Sequence, residues 1–423
     1  MPRLPTLRLL AVAVVAGACA GDGPGGSGSA GLATAFDSTA DTIVARVEGD
    51  VPVSALRTIV AEMRIAPSMD DTSLVAEVST FEVDQGGRIW LYDFQGRRLF
   101  LFDSTGRLAR RIGRSGQGPG EFSSGNGLVV RPDSGVALLD TRNARISFFD
   151  ATGEFQTSWP VPSGFSTSNG LVTDRTHQLF LRRPVTPPRE GEILGRMGLV
   201  RLRDGGAFGD SLAPPDLAVP REVYLAVSPD GNGRSSSSST YAPNYHWGWH
   251  PDGYFVVAHG GLYEIILART GAKPIVIRRT ASTVPVLPDE RAEEQERITW
   301  GMRQTQPGWS WSGPDIPTTK PPLSGVMIAR DGTIWVRVAT PTERIPEDEL
   351  APRRETGPPV RRYRAPITYE VFGPDGRFLG RVPMPPRTSI VQADGNLAWG
   401  ITRDTDDLPA VVRFRIEPPF GLP

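Results

Sequence analysis

The sequence predicts an all-β protein, a six-bladed β-propeller, and three observations support this fold class. Residues 87–108 and 134–155 align with an offset of 47, so that Asp93 matches Asp140 and Gly106 matches Gly153. A repeat of this length is typical of propeller blades. Predicted strands such as "RIWLYD" and "RLFLFD" are apolar on both faces, as expected when sheets are covered on both sides. The 47 Gly and 40 Pro among 423 residues suit a fold with many turns.

The N-terminus has the pattern of a bacterial export signal. Arg3 and Arg8 are followed by an apolar run over 9–18, which is too short to span a bilayer. The run ends at Cys19, the single cysteine, in a sequence that resembles the lipobox of bacterial lipoproteins. We therefore expect a signal peptide over 1–18, lipidation of Cys19 and a flexible tether over 19–38. Ordinary secretion, with cleavage after a small residue, is the alternative.

The propeller is predicted over residues 39–423, with each unit built from strands joined by tight Gly- and Asp-containing turns. The six blades are expected near 74–113, 124–160, 168–213, 244–279, 324–384 and 388–417. The sixth unit has only three clear strands. We expect an N-terminal strand, "DTIVARV" at 41–47, to complete this last blade and close the ring.

These units, with "GQGPGEF" at 116–122 between the first two blades, resemble NHL-type six-bladed β-propellers of the bacterial secreted or lipoprotein branch. A phosphate-binding loop would end in Lys-Ser/Thr and open a helix, and neither feature follows the glycines. We interpret 113–122 as a crossover between blades. Phe122 is expected to pack between the blades, and Glu121 to accept hydrogen bonds from nearby backbone N–H groups.

Long segments are predicted on one face only. They follow second or fourth strands, whereas the turns after first and third strands are short; the long segments are 182–198, 213–243, 281–323 and 340–366. Long loops on one face of a rigid scaffold are the usual place for binding, although they are also tolerated as mere surface length. A helix is predicted within 287–304, and we expect it to lie as a solvated helix on the rim. The serine-rich segment 234–240 is expected to be disordered.

Candidate ligand-binding residues fall in two groups. Aligning the glycines of the first strands places Asn126, Asn169, Trp247 and Ser324 at the mouth of the central channel, with His246 adjacent. These groups either bind a ligand or hold channel water. The second group is Trp309 and Trp311, which either stack on a sugar or peptide or anchor their own loop.

Other function classes find little support. The formal net charge of −1 argues against nucleic acid as a partner. The four histidines do not converge in the predicted blades, and there is no G-x-S-x-G elbow, so we assign no catalytic residue, metal or cofactor. Some propellers of this general type are metal-dependent lactonases or lyases. An extracytoplasmic hydrolase or lyase with a metal such as Ca²⁺ in the channel is therefore the alternative.

The sequence thus predicts an extracytoplasmic, lipid-anchored protein of the bacterial cell envelope. Its predicted function is non-catalytic binding of a peptide, glycan or envelope protein through the long-loop face, with membrane contact only through the lipid. A purely structural envelope spacer is a third hypothesis.

Overall fold

The computed structural model describes residues 32–66, 77–161, 170–188, 195–220, 222–350 and 357–421. The predicted signal peptide and Cys19 lie outside these residues. Three strands precede the first blade: β1 (Thr34–Ser38), β2 (Ile43–Val47) and β3 (Thr58–Ile65). Because residues 34–38 form β1, the boundary of the tether expected at 38 is corrected to a position before Thr34.

The first two blades are regular four-stranded antiparallel sheets in up-and-down order. Their strands are β4 (Val78–Val83), β5 (Ile89–Asp93), β6 (Arg98–Phe102), β7 (Leu108–Ile112), β8 (Gly125–Val130), β9 (Val136–Asp140), β10 (Arg145–Phe149) and β11 (Phe155–Pro160). Every residue of β5 and β9 is buried, because each blade packs a neighbour against both faces.

Blades 3 and 4 are separated by a hairpin that belongs to neither sheet. The strands are β12 (Leu171–Thr173), β13 (Leu179–Pro184), β14 (Met197–Leu202) and β15 (Phe208–Leu212) in blade 3, β16 (Tyr224–Val227) and β17 (Arg234–Ser237) in the hairpin, and β18 (Tyr245–His250), β19 (Tyr254–His259), β20 (Glu264–Ala268) and β21 (Ile275–Arg279) in blade 4.

Blade 5 follows the α-helix and contains a second small hairpin between its second and third strands. The elements are α1 (Pro288–Thr305), β22 (Leu323–Ile328), β23 (Ile334–Val338), β24 (Glu343–Arg344), β25 (Tyr363–Arg364), β26 (Thr368–Phe372) and β27 (Phe378–Pro383), followed by β28 (Thr388–Asp394), β29 (Leu397–Arg403) and β30 (Pro409–Glu417) of blade 6. The six-bladed arrangement is therefore confirmed.

An N-terminal strand closes the ring, as predicted, but it is not the strand at 41–47. β3 pairs antiparallel with β30 and completes blade 6, while β2 pairs parallel with β21 and extends blade 4. Met63 and Ile65 of β3 reach the buried cluster shared with blade 1, and Val47 of β2 is buried against blade 4. Both segments are apolar and rich in β-branched residues, so the packing surface available on each blade edge decides which segment goes where.

The crossover at 113–122 has the structure that was expected. Phe122 is fully buried between blades 1 and 2, with its ring centroid 5.6 Å from that of Tyr92 and 5.7 Å from that of Phe149. Glu121 accepts a hydrogen bond of 2.8 Å from the backbone N–H of Gly118. Gly113 has a φ of 70°, and a Cβ there would lie 2.3 Å from the ring of Phe122, so glycine permits the change of direction.

Candidate functional site

Three long insertions meet on one face of the propeller and form a compact unit, which we call the cap. It consists of the described residues within 213–243, 281–322 and 340–366, and these three insertions follow second or fourth strands as predicted. Its apolar core contains Tyr224, Ala226, Ile298, Met302, Trp309 and Ile316. The cap face is therefore an ordered surface, whereas the turns after first and third strands on the opposite face are short.

Two buried carboxylates of α1 join the three insertions. Glu290 accepts hydrogen bonds from the Tyr241 hydroxyl at 3.4 Å and from Thr342, and it lies 3.5 Å from the Lys320 ammonium. Glu294 accepts a hydrogen bond of 2.6 Å from the backbone N–H of Thr240. The helix was predicted correctly, but it is built into the cap core instead of lying as a solvated helix on the rim.

Trp309 and Trp311 hold the cap together. Trp309 is 3% exposed, and its indole N–H donates a hydrogen bond of 2.9 Å to the backbone oxygen of Leu225. The Trp311 ring lies 4.6 Å from Tyr224 and 5.9 Å from Trp309. These contacts support the loop-anchoring interpretation. The serine-rich segment at 234–240, which we expected to be disordered, forms β17 within the same unit.

Apolar side chains are exposed on the outer side of the cap hairpin. Leu225 and Val227 of β16 point away from the cap core and are 56% and 43% exposed. Their neighbours Tyr224 and Ala226 face inward, as strand alternation requires. These two apolar side chains lie next to the serines of β17 on the surface of the cap.

We call the end of the central channel on the cap face the channel mouth. The turns that end three first strands align by their hydrogen bonds, which run from Ser134 N to Arg131 O, Gly253 N to His250 O and Gly332 N to Ala329 O. The residues four positions before Arg131, His250 and Ala329 are Gly127, His246 and Gly325, so these three residues are equivalent in the three blades. The alignment through Gly248 was therefore two residues out of register. His246 aligns with Gly127 and Gly325, and Tyr245, not Trp247, aligns with Asn126 and Ser324.

Asn126 and Ser324 lie at equivalent places in the mouth. Each is the extra residue of a β-bulge, between Gly125 and Gly127 in β8 and between Leu323 and Gly325 in β22. A bulge turns the extra side chain out of the regular alternation. Ser324 is exposed and Asn126 is half-buried. Asn169 lies outside the described residues.

His246 is adjacent to the mouth position of blade 4, and it is half-buried. Burial lowers its pKa below the ordinary value of 6.5, so the imidazole is neutral at pH 7. It supplies one donor and one acceptor to the mouth, without charge.

Arg182, on the second strand of blade 3, carries a positive charge close to the mouth. The backbone N–H of Arg182 donates a hydrogen bond of 2.7 Å to Gly170, which in turn donates one of 2.9 Å to Asn126. The Arg182 guanidinium lies over the Trp247 ring, 4.4 Å from its centroid. Sequence reasoning missed Arg182. The sequence did contain a signal, because Arg182 aligns with the uncharged residues Tyr92 and Leu139 in the second strands of blades 1 and 2.

Side chains bridge the other end of the channel. Arg330 of blade 5 donates hydrogen bonds to Glu82, at 3.4 Å, and to the backbone oxygen of Val83 in blade 1. Arg175 of blade 3 reaches the backbone oxygen of Arg330 at 3.4 Å, and Gln392 of blade 6 accepts a hydrogen bond from Val83 N at 3.2 Å. Burial raises the pKa of Glu82 to about 7, although Arg330 opposes the shift. The channel is thus obstructed away from the cap.

A groove of 780 Å³ lies between blades 2 and 3 on the short-turn side. Its apolar wall includes Phe148 and Trp159, and its polar rim includes Arg131, His177 and Asp204. None of the residues predicted to bind a ligand lines this groove.

Within the described residues, no group of three or more His, Cys, Asp or Glu side chains is placed to hold a metal ion. His246 and His250 lie at opposite ends of β18, and His259 pairs with Tyr245 near the cap. The helix of the described part is neither long nor apolar enough to cross a membrane.

Comparisons with known proteins agree with the fold. The model of the DUF5128 family, described as a 6-bladed beta-propeller, matches residues 68–172. A search of curated proteins finds no match. Among solved structures, a duf4221 family member from Bacteroides vulgatus is similar, with 12% identity, coverage of 85% of this chain and 98% of that one, and a TM-score of 0.49.

Two other similar structures are proteins with known activities. Virginiamycin B lyase from Staphylococcus aureus shares 9% identity, covering 85% of this chain and 99% of that one, with a TM-score of 0.41. The calcium-binding protein regucalcin from Agrobacterium tumefaciens shares 13% identity, covering 85% and 96%, with a TM-score of 0.37. At this distance, neither likeness carries an argument about activity.

Proposed function

We propose that this protein is an extracytoplasmic, lipid-anchored β-propeller that binds a peptide, glycan or envelope protein on its cap face, without catalysis and without a cofactor. The single observation that carries the proposal is the cap, in which Glu290 and Glu294 tie three insertions into one ordered unit. Loops that serve only as surface length do not require a shared core and a buried ion pair.

The channel supports the same proposal. Its mouth opens on the cap face with the polar side chains of Asn126, His246 and Ser324, while Arg330 bridges the other end. A recess that is open at one end and next to an ordered cap can hold a terminal group or a loop of a ligand, but it does not favour passage through the ring. The exposed Leu225 and Val227 add apolar contact area beside it.

The test compares two matched changes on opposite faces. Ser324 at the mouth and Thr176 in a turn of the short-turn face are both small, exposed hydroxyl residues. The full chain is screened against peptide and glycan arrays and against purified envelope proteins. We expect Ser324→Tyr to weaken binding at least tenfold and Thr176→Tyr to leave it within about twofold. Equal effects of the two changes would place the binding surface elsewhere.

A further inference from the structure

We infer that Arg182 binds an oxyanion group, a carboxylate or a phosphate, of a ligand that enters the channel mouth. This inference rests on the proposed function, because it names the chemistry recognised at the same mouth. It follows from the state of the Arg182 side chain, from the charges around it and from the way in which the other inward-facing arginines are neutralised.

The first argument is that Arg182 is held in place without an anion. Its guanidinium carbon lies 4.4 Å from the Trp247 ring centroid, and the Trp247 ring makes an edge contact with Phe255 at 5.5 Å. The Nε of Arg182 is buried without a hydrogen-bond partner, as is the Nε of Arg279 and of Arg381, but Arg182 differs from these two in having no carboxylate of the described residues within salt-bridge distance. Burial lowers the pKa of Arg182, but an arginine side chain stays charged at neutral pH.

The second argument is that stacking prepares the guanidinium for a particular partner. An arginine that lies flat on an aromatic ring keeps its N–H edge directed sideways, and this edge matches two oxygens of a carboxylate or phosphate. The indole fixes the plane of the group in advance, so that less rotational freedom is lost when the anion arrives.

The third argument is that other arginines facing the protein interior already have acceptors. Arg381 and Arg279 face Glu370, at 2.6 Å and 3.4 Å, and Arg88 faces Asp84 at 2.6 Å. A desolvated cation without a partner costs stability. A ligand anion bound at Arg182 would offset this cost, and Arg182 would then be paired with an anion as Arg381, Arg279 and Arg88 are.

The fourth argument is that the mouth contains no free acid to compete with a ligand, within the described part of the chain. Asp140, at the end of β9, is fully buried and accepts hydrogen bonds from Ser123 N at 2.8 Å and Ser124 N at 2.9 Å. A second cation, Arg337, is exposed and pairs with Gly325 just as Arg182 pairs with Gly170. The mouth therefore carries positive charge from two blades.

The experiment measures anion binding to the full chain by calorimetry at low ionic strength, where charge attraction is least screened. Sodium phosphate, sodium citrate and neutral glucose are the three probes. We expect at least one anion to bind and glucose not to bind. Binding of phosphate alone identifies a phosphate site, and binding of citrate alone identifies a carboxylate site.

Arg182→Gln and its sequence neighbour Arg183→Gln form the matched pair. Arg183 carries the same charge on the same strand and lies over Phe208, 4.8 Å from the ring centroid, so it controls for net charge and for a lost ring contact. We expect Arg182→Gln to weaken anion binding at least tenfold and Arg183→Gln to change it less than twofold. Arg182→Lys keeps the charge but loses the paired N–H donors of the guanidinium, so we expect an intermediate loss of anion affinity. This variant replaces Arg182→Gln if the latter fails to fold.

The inference is wrong if neither anion binds the parent protein, if Arg182→Gln binds as tightly as the parent, or if Arg183→Gln loses as much. These outcomes are separate from the test of the proposed function. If anions fail to bind while partner binding still responds to Ser324→Tyr, the inference falls and the proposed function stands. If anions bind through Arg182 but Ser324→Tyr weakens the binding of no partner, the inference stands and the proposed function is wrong.

Discussion

The two interfaces that flank blade 4 treat buried charge in opposite ways. Between blades 4 and 5, Glu370 is fully buried and receives Arg381 at 2.6 Å, Arg279 at 3.4 Å and the Tyr263 hydroxyl. Between blades 3 and 4, Arg182 stacks on an indole and has no carboxylate among the described residues. We call the first a closed network because each guanidinium faces a carboxylate, whereas the guanidinium in the second interface faces none among the described residues.

This difference distinguishes Glu370, a buried charge with a structural role, from Arg182, a buried charge that is a candidate for ligand binding. Burial and the nearby Glu370 carboxylate raise the pKa of Tyr263 well above 10.0, so the phenol stays protonated and donates to Glu370. Every charged member of that network is matched inside the protein. Blades 3 and 4 pack through an apolar cluster, in which Trp249 of blade 4 lies 5.1 Å from Phe180 of blade 3 and 4.9 Å from Phe255 of its own blade.

The largest expected effect comes from opening the closed network. Glu370→Gln leaves Arg279 and Arg381 without an anion, so we expect a loss of about 3–5 kcal/mol in the free energy of unfolding, measured with urea. Glu264→Gln is the control, because the half-buried Glu264 pairs at 2.8 Å with the exposed Arg278 within blade 4. Its expected cost is at most about 1 kcal/mol. If the two changes lower the free energy of unfolding by similar amounts, the buried network contributes no more to stability than the pair of Glu264 and Arg278.

The next effect tests whether aromatic packing holds the other interface. Phe180 is 1% exposed. We expect Phe180→Ala to cost about 3 kcal/mol in urea unfolding, because it leaves a cavity beside Trp249. Phe180→Leu fills part of that space and should cost about 1 kcal/mol. If Phe180→Ala costs no more than Phe180→Leu, the rings do not carry this interface.

A third ion pair, Glu82 with Arg330, should respond to pH. Glu82 is 30% exposed inside the channel, and its pKa is raised from 4.5 to about 7, chiefly by burial. A raised carboxyl pKa stabilises the fold below the unfolded value, and this stabilisation is lost as pH rises through about 7. Between pH 5 and pH 8, the stability of Glu82→Gln should therefore improve relative to the parent by about 1–3 kcal/mol.

Thermal unfolding of the parent and of Glu82→Gln at a series of pH values checks this sign. Glu62→Gln, whose carboxylate lies at 2.7 Å from Arg415 on the outer edge of blade 6, is the control and should show no such trend. The raised pKa of Glu82 is contradicted if the difference in stability between Glu82→Gln and the parent is constant across this pH range. It is also contradicted if the variant becomes less stable relative to the parent as pH rises.

The ring and its two faces could be predicted from the sequence because every blade repeats the same turns. The closing strand could not, since Ile43–Val47 and Thr58–Ile65 are both apolar and only the packing of blade edges distinguishes them. The register of blade 4 failed for another reason. Glycine occurs at two depths in the first strands: Gly127 at the mouth, and Gly248, where a Cβ would lie 2.8 Å from Ile328.

Arg182 escaped detection because the sequence does not show whether an arginine in a strand points to water or into an interface. Trp309 was ambiguous for a related reason, since a long loop with tryptophans looks the same whether it is open or folded on a helix. In both cases the deciding contacts, to Trp247 and to Leu225, come from residues more than 60 positions away in the chain.

The smallest effect on stability is the one that most sharply divides the two interfaces. Arg182→Met replaces an unpaired guanidinium with an apolar chain, and because no described carboxylate loses a partner, we expect no loss of stability or a gain of up to about 1 kcal/mol. Arg279→Met, at the closed network, should instead cost about 3 kcal/mol, because Glu370 stays charged and buried. Urea unfolding of both variants decides the matter. If Arg182→Met is as destabilising as Arg279→Met, Arg182 is a structural residue and the contrast between the interfaces disappears.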